Sequence, residues 1–279
     1  MPELPEVEII RRGLVNLTSG FPIDRVELLR PDCVAGSPQE FQAGLCHQVL
    51  QDWQRRGKYL LGTLTNGGQW VVHLRMTGQL LWLTTPQPVT KHTRARIFFR
   101  DGQELRFVDQ RTFGRLWWVA PGDVLTQVVT GLQNLGPEPW DCAVEHLYQK
   151  CQGTQRPIKT ALLDQTWIAG LGNIYADECL FLSGLDPQTP SALLSHSQVA
   201  HLHQAILQVL ETSIQAGGTT FAHFRHVQGM NGHYLNQAWV YGRAGQPCRV
   251  CGTVIQRQKI AGRSSHFCPR CQPKRLTRH

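Results

Sequence analysis

Pro2 and Glu3 are the first residues of the chain whose types could do chemistry together. Removal of Met1 would leave a secondary amine at Pro2 beside a carboxylate. An α-amino group has an unperturbed pKa of about 7.7–8.0, so part of it is free base at neutral pH without the burial a lysine needs. A secondary amine attacking a sugar C1′ goes on to a cationic iminium, an electron sink from which neighbouring bonds can be eliminated. Pro5 and Glu6 then open an amphipathic helix, with Glu6 and Glu8 in its first turn and Val7, Ile10, Leu14 and Leu17 on one face. The positive end of that helix should lower the amine's pKa. Read alone, Pro and Glu here are also ordinary helix-start residues, and only their context decides between the two readings.

A second chemistry lies at the other end of the chain. Four of the nine cysteines form Cys248-x2-Cys251 and Cys268-x2-Cys271, separated by sixteen residues. Two such knuckles offer four thiolates to one tetrahedral ion and leave no open coordination position, so the spacing predicts one structural zinc. Between the pairs, 254–260 and 264–267 flank Ala261-Gly262-Arg263, which reads as a β-hairpin whose turn presents an arginine. Cys33, Cys46, Cys142, Cys151 and Cys179 have no ligand spacing and read as reduced, largely buried thiols.

Lys and Arg number 28 against 20 for Asp and Glu, a net charge of +8 with a sequence pI near 9.2. That balance suits a protein that meets phosphates, although a merely soluble basic protein would show it too. No run of 18 apolar residues occurs, and the N-terminus lacks a signal-peptide layout, so the expectation is an intracellular protein with no membrane partner. Arg55-Arg56-Gly57-Lys58-Tyr59 is a compact basic cluster that could grip phosphates or simply be a solvated charge run. In Asp109-Gln110-Arg111-Thr112-Phe113-Gly114-Arg115 an aromatic residue sits on a polar turn beside two arginines. There it could wedge into a base stack or fold back into the core.

The elements that must position these residues follow from periodicity. Residues from about 20 to 120 read as β-rich: Trp70, Val72, Leu74 and Met76 alternate with Val71, His73 and Arg75, and Ala95, Ile97 and Phe99 with Arg94, Arg96 and Arg100. Asn66-Gly67 and Asp101-Gly102 mark turns, and the spacing implies a sandwich or barrel. Residues from about 120 to 140 read as a linker. Beyond them the pattern is helical, with Asp141 as one cap, a Ser195-x-x-Gln198 capping box, Val199, Leu202, Ile206 and Val209 on one face, and Gly217-Gly218 as a stop. Gly170-Leu171-Gly172-Asn173 should place a helix N-terminus near Asn173, a natural phosphate site as well as an ordinary helix–helix turn.

Taken together, Pro2-Glu3-Leu4-Pro5-Glu6-Val7-Glu8, His73-Leu74-Arg75-Met76-Thr77-Gly78, Gly170 to Ala176, Val240-Tyr241-Gly242-Arg243 and the two C-x-x-C pairs occur in an order that resembles the bacterial formamidopyrimidine-DNA glycosylases. These enzymes remove 8-oxoguanine and ring-opened purines from DNA. The resemblance spans the chain and implies an α+β multi-domain fold. Residues 1–130 would be a catalytic β-sandwich domain with a leading helix, 131–240 a helix-two-turn-helix DNA-binding domain, and 241–279 a zinc finger, with DNA in the cleft between lobes.

The resemblance also implies roles. Pro2 would be the nucleophile and Glu3 the proton donor, supported by Glu6. Lys58 would reach the lesion, Arg263 would complete the catalytic set, and Lys159, Asn173 and Arg263 would grip phosphates. Met76, Arg111 and Phe113 would fill the gap left by a flipped base, while His92 and Tyr241 would add DNA contacts. The implied enzyme is a bifunctional glycosylase and abasic-site lyase acting by β,δ-elimination. It would be a monomer on double-stranded DNA with oxidised purines or abasic sites, cytoplasmic and nucleoid-associated or in another DNA-containing compartment.

Two features depart from the family pattern. Thr112 stands where a basic residue is common, and 219–237, where relatives place a lesion-sensing loop, supports no residue assignment. An endonuclease VIII-like glycosylase for oxidised pyrimidines is the rival within the fold, disfavoured by Leu4. A non-catalytic nucleic-acid-binding protein is the rival outside it, disfavoured by Pro2-Glu3.

Overall fold

The computed structural model describes residues 1–99, 102–219 and 233–274. The chain divides into two compact units, Met1–Gln133 with Gly217–Gly232, and Asn134–Ala216 with His233–His279.

The first unit begins with helix α1 (Leu4–Thr18), followed by β1 (Ile23–Leu28), α2 (Pro38–Leu45), β2 (Leu50–Arg56), β3 (Tyr59–Leu64), β4 (Gln69–His73), β5 (Gly78–Leu83), β6 (Thr93–Phe99), β7 (Glu104–Asp109), β8 (Arg115–Val119) and the short α3 (Leu125–Val128). Two antiparallel four-stranded sheets form, in the orders β1-β6-β7-β5 and β2-β3-β4-β8. One apolar core joins them: Val26, Leu80, Ile97 and Phe107 from the first sheet pack with Trp53, Leu60, Trp70 and Leu116 from the second, as a sandwich should. Helix α1 buries Leu4, Val7, Ile10 and Leu14 completely. Its last turn is fixed by Thr18, whose hydroxyl accepts from the Trp53 indole at 2.9 Å.

The β-pattern differs from its sequence reading in one respect that matters for function. Strand β4 stops at His73, and Leu74–Thr77 form a tight turn instead of continuing the alternation. Arg75 has φ +52, and Gly78 N–H donates back to Leu74 O at 2.9 Å. Gly78 must be glycine, since a Cβ there would lie 2.4 Å from that carbonyl. The Asn66-Gly67 turn forms as expected between β3 and β4, whereas the Asp101-Gly102 turn falls partly outside the described residues. The 120–140 stretch is not a bare linker. It carries α3 and 3-10 turns at Thr130–Leu132 and Pro139–Asp141, with Val129 and Leu132 buried.

The second unit holds α4 (Val144–Gln152), α5 (Ile158–Leu162), α6 (Asn173–Leu182), α7 (His196–Gln215), α8 (Tyr234–Gln237) and the hairpin β9 (Gln256–Ile260) with β10 (Arg263–Phe267). Asp141 does not cap α4; Ala143 does, because Asp141 is already inside a 3-10 turn. The Ser195–Gln198 capping box closes as its spacing predicts, at 2.9 and 3.3 Å. Helix α6 is buried nearly all round, and its Phe181 shares a small core with Val240, Cys248, Ile255 and Cys268, so the cysteine-rich segment packs on this helix. Among the described residues no helix is long and apolar enough to cross a membrane.

The basic cluster at the end of β2 is partly an internal device. Glu8 on α1 takes Arg11, Arg12 and Arg55 at 2.9, 2.8 and 3.2 Å, which ties α1 to β2. Burial would raise the Glu8 pKa, but Arg11 and Arg12 outweigh it and bring it from 4.5 down to about 2. A depressed folded-state pKa stabilises the protein above the unfolded value, and that stability is lost as pH falls through the folded one. Glu8→Gln should therefore cost about 2 kcal/mol at pH 7. Urea melts from pH 7 to 2 should show wild type and variant converging below about pH 4.5.

Candidate active site and nucleic-acid interface

In the first unit, Pro2, Glu3 and Glu6 are all buried at the start of α1. Glu3 is the helix N-cap, and its N–H donates to Glu6 Oε2 at 2.8 Å, which fixes the peptide plane joining Pro2 to Glu3. The terminal amine, which belongs to Met1 and lies one residue before Pro2, has a pKa below its ordinary value of 8.0. Burial is the main cause, opposed by Glu3 and Glu6 and reinforced by Lys58 and Arg111. An amine at the chain start is thus biased towards free base while two carboxylates and two cations act on it. Lys58 is 7 % exposed, on the turn between β2 and β3 where Gly57 has φ +56. Arg55 beside it is committed to Glu8 and to the Gly57 carbonyl, so the cluster is not an open phosphate patch.

Met76 lies half-buried on the Leu74–Thr77 turn, and Arg111 and Phe113 lie exposed on the turn between β7 and β8. Asp109 joins the two turns. Fully buried, it accepts from the Thr77 hydroxyl and from Arg111 N at 3.2 Å through one oxygen, and from Gly114 N at 2.7 Å through the other. Its own N–H donates to His92 O and its carbonyl accepts from Arg94 Nε, so the His92 segment hangs on the same residue. Phe113 is 48 % exposed and does not fold into the core, and the Arg111 guanidinium stands 4.8 Å from its ring centre. Thr112 adopts φ +59, costly for a β-branched residue, with its hydroxyl bonded to Arg111 O at 2.7 Å.

His73, on β4 just before the Met76 turn, accepts from Arg75 N through Nδ1 at 3.0 Å, which places its ring proton on Nε2. Burial, with help from Arg75 and Lys58, lowers its pKa to about 3, so the ring is neutral and adds no charge to the site.

In the second unit, Asn173 is the first residue of α6, behind the Gly172 cap. Gln165 shapes the preceding loop by accepting from Gly170 N and donating to Leu171 O. The Asn173 amide donates to Ser264 O at 3.0 Å, which sets α6 against the hairpin that carries Arg263. Arg263 is exposed and pairs with Ile260 as the first residue of β10; the turn itself is Ala261-Gly262, with φ +43 and +81. Tyr241 is half-buried, edge-on to His266 at 4.9 Å.

Lys159 corrects the expected phosphate grip. It is fully buried, and its ammonium bonds Asp177 Oδ1 at 2.6 Å and Asn173 O at 2.7 Å, leaving it no access to a DNA phosphate in this structure. Its work is internal. Asp177 also accepts from Ser265 Oγ, His266 N and His266 Nδ1, so one carboxylate links α5, α6 and β10. Its neighbour Glu178 accepts from the N–H groups of Trp239, Val240 and Tyr241. Burial raises the Glu178 pKa against the lowering effect of those three bonds. Sequence reasoning missed Asp109, Gln165, Asp177 and Glu178. For the last two a signal existed: adjacent acids inside an otherwise apolar helix require buried partners.

Sγ atoms of Cys248, Cys251, Cys268 and Cys271 all lie within 4.8 Å of one another, with Cys248–Cys271 at 3.9 Å and Cys251–Cys268 at 3.5 Å. Tetrahedral zinc with bonds of about 2.3 Å requires sulfurs about 3.8 Å apart, so the residues fit one structural zinc per chain.

Three family descriptions match along the chain: "Formamidopyrimidine-DNA glycosylase N-terminal domain" at 1–116, "Formamidopyrimidine-DNA glycosylase H2TH domain" at 135–225, and "Zinc finger found in FPG and IleRS" at 245–274. They define the class, a DNA glycosylase with a helix-two-turn-helix segment and a zinc finger. A formamidopyrimidine-DNA glycosylase from Acaryochloris marina is 55% identical over 283 residues, covering 98% of this chain and 100% of the relative. Among solved structures, Lactococcus lactis Fpg in complex with DNA containing an abasic site superimposes with a TM-score of 0.91 at 35% identity, covering 98% of this chain and 100% of that one. MutM in complex with DNA containing carbocyclic 8-oxo-G gives 0.90 at 36%, with the same coverage. The chain belongs to the formamidopyrimidine-DNA glycosylase family, whose members are glycosylases and abasic-site lyases.

Two expected outcomes follow from the second unit. Asp177→Asn should cost about 3 kcal/mol in urea melts, because it leaves the Lys159 charge buried without its partner. Lys159→Met in that background should recover part of the loss. Cys268→Ser, or prolonged chelation, should release zinc measured by colorimetric assay and abolish DNA binding in gel shifts, since a closed thiolate site supplies folding energy to the hairpin.

Proposed function

We propose that the chain excises 8-oxoguanine and formamidopyrimidines from duplex DNA and cleaves the resulting abasic site, working as a monomer in the DNA-containing compartment. The observation that carries the reading is the buried chain start: Pro2 and Glu3 are buried ahead of α1, with Glu3 as its N-cap, where burial, Lys58 and Arg111 all lower the pKa of the amine that Met1 carries one residue earlier. Support comes also from the DNA named with the similar structures, an abasic site with Lactococcus lactis Fpg and carbocyclic 8-oxo-G with MutM.

With Met1 removed, the Pro2 nitrogen attacks C1′ and the damaged base leaves. Glu3 protonates the sugar ring oxygen, the ring opens and an iminium forms between Pro2 and C1′. Loss of the 2′ proton expels the 3′ phosphate, and a second elimination expels the 5′ phosphate, leaving a one-nucleotide gap ended by phosphates. Lys58 holds the lesion and its phosphate, while Met76, Arg111 and Phe113 occupy the space the flipped nucleotide vacates, with His92 nearby. Asn173, Tyr241 and Arg263 contact the backbone. Lys159 is left out of that set and acts by holding Asp177. The family spans support 1–130 as catalytic, 131–240 as helical DNA-binding and 241–279 as zinc-finger segments. Zinc, held by the four cysteines, supplies folding of the hairpin and no step of the reaction.

The test is a variant that retains Met1, verified by mass spectrometry. Its Pro2 nitrogen is a tertiary amide without a basic lone pair, so it should bind zinc and DNA normally yet form no borohydride-trapped adduct on 8-oxoguanine DNA. Substantial excision by that protein would remove Pro2 as nucleophile.

A further inference from the structure

Glu6 divides its two carboxylate oxygens between the reacting end of the chain and a residue 213 positions away. Oε2 accepts the Glu3 N–H at 2.8 Å. Oε1 accepts both the N–H and the hydroxyl of Thr219, at 2.8 and 2.9 Å. Glu6 and Thr219 are each 1 % exposed, so water does not compete for these bonds. The approach is shaped by glycine: Gly217 and Gly218 have φ +78 and +74, and a Cβ on Gly218 would meet Glu6 Oε1 at 3.0 Å and Ile9 Cδ1 at 3.2 Å.

Free, a glutamate has three soft torsions and would hold a neighbouring peptide only loosely. With two donors from Thr219 on one oxygen, the carboxylate plane is fixed, and the other oxygen presents a fixed acceptor to Glu3 N–H. That bond sets the Pro2–Glu3 peptide plane, and hence the directions in which the Pro2 nitrogen and the Glu3 side chain point. We propose that Thr219 is a positioning residue for the nucleophile: through Glu6 it holds the Pro2–Glu3 peptide in the orientation the covalent step needs. The proposal rests on Pro2 as nucleophile and adds to it a residue far away in sequence. Thr219 does not touch substrate in this role, so it should affect the rate at saturating DNA and not affinity.

The experiment uses the full-length zinc-loaded protein and two variants. Thr219→Val keeps shape and N–H but removes one of the two donors to Oε1, and Thr219→Ser restores the hydroxyl. Two single-turnover rates are measured at saturating DNA: excision of 8-oxoguanine from duplex, and borohydride trapping on a duplex with a pre-existing abasic site. DNA affinity and thermal midpoint are measured alongside. A displaced nucleophile slows both reactions, so Thr219→Val should lose roughly tenfold in each, the size expected for one buried hydrogen bond acting on the barrier. Affinity should stay within about twofold, and Thr219→Ser should recover most of both rates.

Wild-type rates in Thr219→Val would overturn the proposal. A loss confined to 8-oxoguanine, with abasic trapping intact, would also overturn it, making Thr219 part of base recognition. So would a fall in thermal midpoint and affinity that serine does not rescue, which would make the contact purely architectural. A wild-type protein that fails to trap would remove the Pro2 reading and this proposal together, whereas a trapping wild type isolates the role of Thr219.

Discussion

A carboxylate taken out of water must be surrounded by donors, and the functional parts of this protein are arranged around four that obey this constraint. Glu6, Asp109, Asp177 and Glu178 are each no more than 1 % exposed, and each accepts at least three hydrogen bonds. The donors come mainly from backbone N–H groups and short hydroxyls on other segments. An unsatisfied buried charge costs several kcal/mol, so each carboxylate holds its donor segments firmly. Glu6 holds the chain start, Asp109 the two turns with Met76, Arg111 and Phe113, and Asp177 the zinc hairpin. Glu178 holds the approach to that hairpin at Trp239 to Tyr241.

The arrangement resolves a conflict at the N-terminus. A nucleophilic amine gains reactivity from burial, which favours its free base, but a chain end is usually the least ordered part of a domain. Here the order comes from α1, whose apolar face is fully buried against the sandwich and whose first residues are pinned by Glu6. Glu3 and Glu6 form a reciprocal capping box in which each side chain accepts the other's backbone N–H, so both ends of the first turn are held. Neutral His73 near Lys58 is consistent with this balance, since another cation there would cost energy and add nothing to the chemistry.

The sequence revealed the chemistry better than the means of holding it. The four cysteines, the strands of the sandwich and the Ser195 capping box were legible because each depends on local spacing. Tertiary effects overrode local pattern elsewhere: β4 stops early because Gly78 must approach Leu74, and Asp141 is drawn into a 3-10 turn rather than a cap. The buried carboxylates were not legible, since their donors lie up to 213 residues away and no local rule links Glu6 to Thr219. Lys159 was misread for the same reason. A lysine beside a DNA-binding motif looks like a phosphate contact until the position of Asp177 is known.

Net charge is therefore a poor map of where DNA is held. The chain's +8 is an excess over acids, yet Arg11, Arg55, Arg96, Arg106 and Lys159 are all committed to internal carboxylates. Counterion release on DNA binding depends on cations that reach phosphates, and internal pairs release nothing. Exposed cations such as Arg111 and Arg263 sit instead on short turns and a hairpin tip, each held from beneath by a buried acid. Phosphate contact needs a solvated charge, whereas a nucleophilic amine needs an environment that favours its uncharged form. The fold offers both environments, with exposed cations at the ends of strands and a buried chain start ahead of a helix cap.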